Sequence, residues 1–231
     1  MYNYETSKII KLLNDDEVKE IQRLLSSCKR STDWVNGNGS FRGVEGTKSN
    51  VELHSPFVLK KVRSMVVEAC NRCKEYTDFV LPRSFEGCIV SKTSEGGYYN
   101  THTDCGDVGD FSTTIFLSDK DSYEGGELSL LINGKEQKIK LNPGYCVVYP
   151  TGTPHRVNKV TSGDRYAFVF WVKCIIRDQT ILDCCRELRS IKFNEIPIEY
   201  QETMEEGLSD IKFKVDNTVN RLMRRFGEFA D

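Results

Sequence analysis

The sequence predicts a mainly β fold with flanking helices: an antiparallel barrel or jelly roll held between α-helices at its two ends. Two observations predict this. From residue 111 to 172, short runs of β-branched and aromatic residues alternate with turn signals. On either side of that stretch, apolar residues recur at the three- and four-residue spacing of a helix.

Taken in order, each element has its own signal. Asn14 and Glu17 form a capping box, in which side chain and backbone satisfy each other at a helix start. Val18, Ile21, Leu24 and Leu25 follow on one face. Ser55-Pro56 opens a second helix, because proline lacks an N–H that the first helical position would leave unpaired anyway. Its apolar stripe is Leu59, Val62, Met65, Val66, Ala69 and Cys73. Cys70-Asn71-Arg72-Cys73 on that helix is a lone C-x-x-C with nothing to pair it, so packing is its expected role. Phe111–Leu117 and Glu127–Ile132 read as strands. Asn133-Gly134 marks a tight hairpin leading into Lys138–Leu141. After the turn signal Pro143-Gly144, Tyr145–Tyr149 and Tyr166–Val172 read as buried strands. Beyond Asp178 the spacing is helical again through Ile181, Leu182, Cys185 and Leu188, then through Ile211, Val215, Val219, Leu222 and Phe226. Arg221, Arg224 and Arg225 form a solvated face of the last segment. The expected organisation is one domain over 1–231: N-terminal helical support over 1–78, a core over 79–178 and a C-terminal helical extension over 179–231.

Composition narrows the class. A chain of 231 residues buries a sizeable core, and barrels of this length are commonly one domain. A net charge of −2 supplies no electrostatic attraction to nucleic acid or membrane, and no apolar run approaches the ~20 residues that span a bilayer. The first residues lack the basic-then-apolar form of a signal peptide. With no such signal, the nine cysteines are expected to be reduced thiols in a cytoplasm.

The most informative pattern is His102-Thr103-Asp104, with His155 about fifty residues later. Two of the chain's three histidines fall in it; the third, His54, reads as a surface or loop residue. In a strand, alternate side chains share a face, so His102 and Asp104 point the same way and a second strand must bring His155 to them. Two histidines and one carboxylate on one face of a metal leave the other face open, as in non-haem Fe(II) oxygenases. Asp107 and Asp110 are rival carboxylates, and the pleat favours Asp104.

Around this pattern the chain resembles the PKHD-type hydroxylases, a bacterial and phage branch of the prolyl 4-hydroxylase-like Fe(II)/2-oxoglutarate dioxygenases. The likeness rests on Leu81-Pro82-Arg83, His102-Thr103-Asp104, Ile115-Phe116-Leu117-Ser118-Asp119, Ser122-Tyr123-Glu124-Gly125-Gly126-Glu127-Leu128, Val148-Tyr149-Pro150, His155-Arg156-Val157 and Phe170-Trp171. It is strongest over 80–178. The resemblance implies a double-stranded β-helix (jelly-roll) core, with Fe(II) bound by His102, Asp104 and His155. It also implies 2-oxoglutarate and O2 as cosubstrates, release of succinate and CO2, and L-ascorbate as a further cofactor. Retention of Asp104 argues against a halogenase, in which the carboxylate is lost.

Arg165 opens an apolar strand about ten residues after His155. A guanidinium there suits the distal carboxylate of 2-oxoglutarate, because its planar fork bonds a carboxylate through two donors. The rival roles are an ion pair with Asp164 or a surface charge. Tyr99 and Trp171 are expected to line the pocket. Many relatives carry a tyrosine nine positions before the first histidine; here that position is Thr93, so Thr93 and Thr113 are the candidate hydroxyls for the cosubstrate. The glycine-rich stretch from Gly37 to Thr47 is expected as a loop near the site. The expected substrate is a prolyl residue of a peptide or protein, the alternative a free amino acid or other small molecule. A cupin-like metal enzyme or sensor without 2-oxoglutarate is the rival class. Compartment is expected to be the cytoplasm of a bacterium or phage-infected cell.

Overall fold

The computed structural model describes residues 7–37, 46–104, 107–191 and 198–229. It begins with β1 (Lys8–Lys11) and α1 (Asp15–Ser27). Both arms of the α1 capping box are formed: Glu17 N–H donates to Asn14 Oδ1 and Asn14 N–H to Glu17 Oε2, each at 2.9 Å. Three short strands follow, β2 (Trp34–Asn36), β3 (Lys48–Ser49) and β4 (Val51–Leu53), then α2 (Pro56–Arg72) and α3 (Lys74–Val80). The α3 helix stops at Leu81, in the left-handed region at φ 48°, because Pro82 has no N–H to continue the ladder and its ring excludes a helical neighbour. The first 78 residues, expected as helical support, therefore also contribute four strands.

The remaining strands are β5 (Pro82–Ser94), β6 (Tyr98–His102), β7 (Phe111–Phe116), β8 (Tyr123–Gly125), β9 (Leu128–Ile132), β10 (Lys135–Ile139), β11 (Tyr145–Pro150), β12 (His155–Val157) and β13 (Val160–Cys174). They form two antiparallel sheets. The larger runs β1-β11-β7-β13-β5-β4-β2, with β8 against β13; the smaller runs β10-β9-β12-β6-β3. Two helices close the chain, α4 (Gln179–Ser190), capped by Asp178 accepting from Ile181 N–H, and α5 (Ile198–Phe226). This is the mainly β, jelly-roll architecture with flanking helices that the sequence predicts.

The expected strands differ in their limits. Asn133 and Gly134 both have positive φ, as a two-residue hairpin turn requires, so β10 starts directly at Lys135 rather than at Lys138. Its exposed polar residues are held by the ladder rather than by burial. Strand β5 has no apolar alternation in sequence; its long pairing with β13 fixes it. His54 is exposed. Cys70, on α2, is fully buried in the core, and burial raises its thiol pKa far above the usual range, consistent with packing. Most of the Gly37–Thr47 stretch lies outside the described residues. No helix among the described residues is long and apolar enough to cross a membrane.

The large sheet has a core on each face. On one side, α1, α2, α3 and α4 pack Ile21, Val62, Val66, Tyr76 and Leu182 against Ile115, Phe168, Phe170 and Val172. On the other, between the two sheets, lie Phe116, Leu128, Leu130, Ile132, Ile139, Val147 and Tyr149. The open end of that second layer carries the polar side chains described next.

Candidate active site

The small sheet sets the histidines side by side. β12 lies between β9 and β6, and its register pairs His155 directly with His102. Their ring centroids are 4.2 Å apart. Asp104 lies just beyond the end of β6 rather than within it, yet reaches both rings: its Oδ1 is 3.8 Å from His102 Nε2 and 3.9 Å from His155 Nε2. One ligand atom from each of the three falls within 4.8 Å of the others, the only such His/Cys/Asp/Glu group among the described residues.

Neighbouring groups aim these three atoms. His102 Nδ1 lies 2.8 Å from the Asn100 carbonyl and His155 Nδ1 2.9 Å from the Thr153 carbonyl. A carbonyl only accepts, so each ring carries its proton on Nδ1 and turns a bare Nε2 toward Asp104. Asp104 Oδ2 accepts from Ser112 Oγ at 2.7 Å and from Trp171 Nε1 at 2.9 Å, which leaves Oδ1 facing the imidazoles. Burial, reinforced by the neighbouring His155, lowers the His102 pKa to about 4, keeping the ring in the neutral form a metal requires. Tyr99 stacks on His102 with centroids 3.6 Å apart, fixing the ring plane. Asp107 is exposed, and Asp110 Oδ2 accepts from Cys174 N–H at 2.7 Å; neither joins the group.

Arg165 sits on the inter-sheet face of β13, the same face as Trp171. It is 2 % exposed, and its guanidinium carbon lies 5.5 Å from the Phe116 ring centroid. It pairs neither with Asp164, whose ion pair is with Lys92, nor with any other carboxylate of the described residues. Its Nε has no hydrogen-bond partner. Burial lowers the Arg165 pKa, and the Tyr123 and Tyr149 phenols oppose that shift. An arginine nonetheless remains a cation near neutral pH, so this is a buried positive charge without a counter-ion.

The strand registers sort the hydroxyl candidates. Thr93 pairs with Arg165 across β5–β13 and lies on the same face, buried. Thr113 pairs with Phe170 and lies on the opposite face, where its Oγ1 is 3.0 Å from Tyr76 Oη. Thr113 is therefore not brought to the site; odd–even alternation puts Ser112 and Thr114 there instead. Two further residues, Ser112 bonded to Asp104 and Tyr123 near Arg165, carry no role in the sequence reading. Ser112 was hidden in a run of three hydroxyl residues whose register cannot be read without the pairing. Tyr123 stood within a recognised block, and the two glycines after it were the signal of a close approach.

A superfamily model described as the 2OG-Fe(II) oxygenase superfamily matches residues 88–173, which span His102, Asp104, His155 and Arg165. A PKHD-type hydroxylase of Prochlorococcus marinus (strain MIT 9301) is 33 % identical over 177 residues, 73 % of this chain and 78 % of the relative. One from Hyphomonas neptunium (strain ATCC 15444) is 37 % identical over 177 residues, 72 % and 77 % of the two chains. The chain belongs to the PKHD-type hydroxylase family. Its fold is that of a Trichoplax adhaerens prolyl hydroxylase solved with a hypoxia inducible factor peptide fragment. The two superpose with a TM-score of 0.59 at 18 % identity, over 82 % of this chain and 89 % of that one. As a PKHD-type hydroxylase it is an Fe(II)/2-oxoglutarate-dependent dioxygenase, using Fe(II), 2-oxoglutarate and O2. The residues fit this cofactor set: a neutral-imidazole and carboxylate donor group suits iron, and a buried, unpaired guanidinium on the same face suits a dicarboxylate.

Proposed function

We propose that His102, Asp104 and His155 hold Fe(II), that Arg165 with Thr93 beside it binds the distal carboxylate of 2-oxoglutarate, and that the enzyme hydroxylates a prolyl residue of a peptide or protein. The observation that carries this reading is the combination of three converging donor atoms with a cation lacking a carboxylate partner among the described residues, all in the layer between the two sheets. The peptide seen with the Trichoplax adhaerens prolyl hydroxylase supports a peptidyl substrate over a free amino acid. We assign L-ascorbate as an accessory reductant, the cytoplasm as the compartment and 79–178 as the catalytic core on the same family grounds.

The chain's own residues position and exclude. Iron, when bound, would supply the oxidising chemistry in which 2-oxoglutarate and O2 become succinate and CO2 while the second oxygen atom converts a substrate C–H bond to an alcohol. The Asn100 and Thr153 carbonyls fix the imidazole tautomers. Ser112 and Trp171 hold one carboxylate oxygen of Asp104 so that the other faces the metal position. Arg165 orients the cosubstrate from its far end, and the apolar layer of Phe116, Val147 and Leu130 keeps water from that end. Succinate release by Fe(II)-loaded protein with 2-oxoglutarate, over a panel of prolyl peptides and free amino acids, tests the proposal. Coupled succinate and hydroxyproline formation is expected with a peptide. Turnover with free amino acids alone would replace the substrate class.

A further inference from the structure

Two buried polar atoms at the proposed cosubstrate end lack a hydrogen-bond partner among the described residues: Arg165 Nε and the Tyr123 hydroxyl. They belong to one constellation. A Cβ added at Gly126 would stand 3.1 Å from Tyr123 Cε2 and 3.2 Å from Arg165 Cδ, so both side chains pack over this residue, whose φ of +65° favours glycine. The Arg165 charge is near enough to favour the ionised form of the Tyr123 phenol, against the stronger effect of burial.

The tyrosine is held from every side. Lys140 Nζ donates to the Tyr123 carbonyl at 2.6 Å and lies 4.1 Å from the ring centroid. Gly163, opposite Tyr123 in the β8–β13 register, has φ +77°, and a Cβ there would come within 2.9 Å of Tyr123 Cα. A ring so tightly placed, carrying a buried hydroxyl that faces the Arg165 guanidinium and finds no acceptor among the described residues, is a costly arrangement that phenylalanine would avoid. A hydroxyl donor beside an unpaired guanidinium suits one kind of ligand: an anion with a free oxygen for each.

We propose that Tyr123 is a second anchor for the distal carboxylate of 2-oxoglutarate, its hydroxyl donating to the carboxylate that Arg165 holds. The proposal rests on the Arg165 reading above. It gives the Tyr123-x-Gly125-Gly126 segment a physical purpose: the tyrosine supplies the donor, and Gly126 lets it approach the arginine. Thr93, directly across from Arg165, is too short to fill the same space as a phenol and lines the other side.

The test is anaerobic titration of 2-oxoglutarate into Fe(II)-loaded wild type, Tyr123→Phe and Arg165→Met, followed by the charge-transfer absorption, with thermal melting of the metal-free proteins alongside. A hydrogen bond to a charged group implies that Tyr123→Phe weakens binding about tenfold or more. Iron stoichiometry should stay unchanged and the metal-free melting temperature should be equal or higher. The same titration with 2-oxopentanoate, which has a methyl group in place of the distal carboxylate, should give equal affinities for wild type and Tyr123→Phe. Affinity for 2-oxoglutarate within twofold of wild type overturns the role of Tyr123, as does equal weakening toward both ligands. An unchanged titration in Arg165→Met overturns the underlying reading and this inference with it.

Discussion

The two faces of strands β7 and β13 are built from the same backbone and behave oppositely. Toward the helices, Phe168, Phe170, Val172 and Ile115 are fully buried, and the buried hydroxyl of Thr113 is paired with Tyr76. Toward the small sheet, the alternate residues include Arg165, Trp171 and Ser112; two bond Asp104 and one is a cation with no carboxylate partner among the described residues. The first face is complete as it stands. The second leaves polar groups unsatisfied among the described residues, as the proposed binding of a metal and a dicarboxylate requires. A strand of period two lets one sequence serve both ends, stability on odd or even positions and chemistry on the others.

This contrast breaks most severely at the ligands. Asp104→Ala, His102→Ala or His155→Ala should abolish turnover and most Fe(II) binding while leaving the melting transition in place, read by iron stoichiometry and calorimetry. Asp107→Ala, at an exposed position outside the ligand group, should keep wild-type iron content; loss there with Asp104→Ala unaffected would move the carboxylate assignment. On the helix face the pattern reverses. Phe170→Ala should cost about 3–5 kcal/mol of stability through the cavity it leaves, measured by urea unfolding, with iron stoichiometry of the folded fraction unchanged.

A smaller effect sharpens the comparison at the site's edge. Trp171→Phe keeps the packing and removes the Nε1–H that holds Asp104 Oδ2. Supporting bonds of this kind typically contribute about 10–100-fold to metal affinity, so Fe(II) binding should weaken about tenfold in a competition titration. Equal affinity in wild type and variant would show that Ser112 alone orients the carboxylate.

Much of this was legible in the sequence, and the failures have physical reasons. The capping box of α1, the Asn133-Gly134 hairpin and the His102, Asp104 and His155 pattern are local signals, written within a few residues. Strand β5 was not legible because Gly87, Ser91 and Lys92 interrupt its apolar pattern, and only long-range pairing with β13 makes it a strand. Thr113 was a candidate because Ser112, Thr113 and Thr114 are chemically alike. Which of them faces the site depends on register, and a one-residue difference in register reverses the face. Arg165 was legible as a candidate anchor but not as a buried charge without a carboxylate partner, since burial is a property of the assembled sheets.

That unpaired charge makes the sharpest measurement. Arg165→Met keeps the volume and removes the cation. Replacing an uncompensated buried charge with an apolar residue should leave the metal-free protein as stable or more stable. Losing one partner of a buried charged pair in the complex typically costs about 2–5 kcal/mol. In an anaerobic titration of the Fe(II)-loaded protein followed by the charge-transfer band, Arg165→Met should therefore bind 2-oxoglutarate more than about tenfold more weakly, with iron affinity unchanged. A variant that binds 2-oxoglutarate as wild type does would contradict the account of this face.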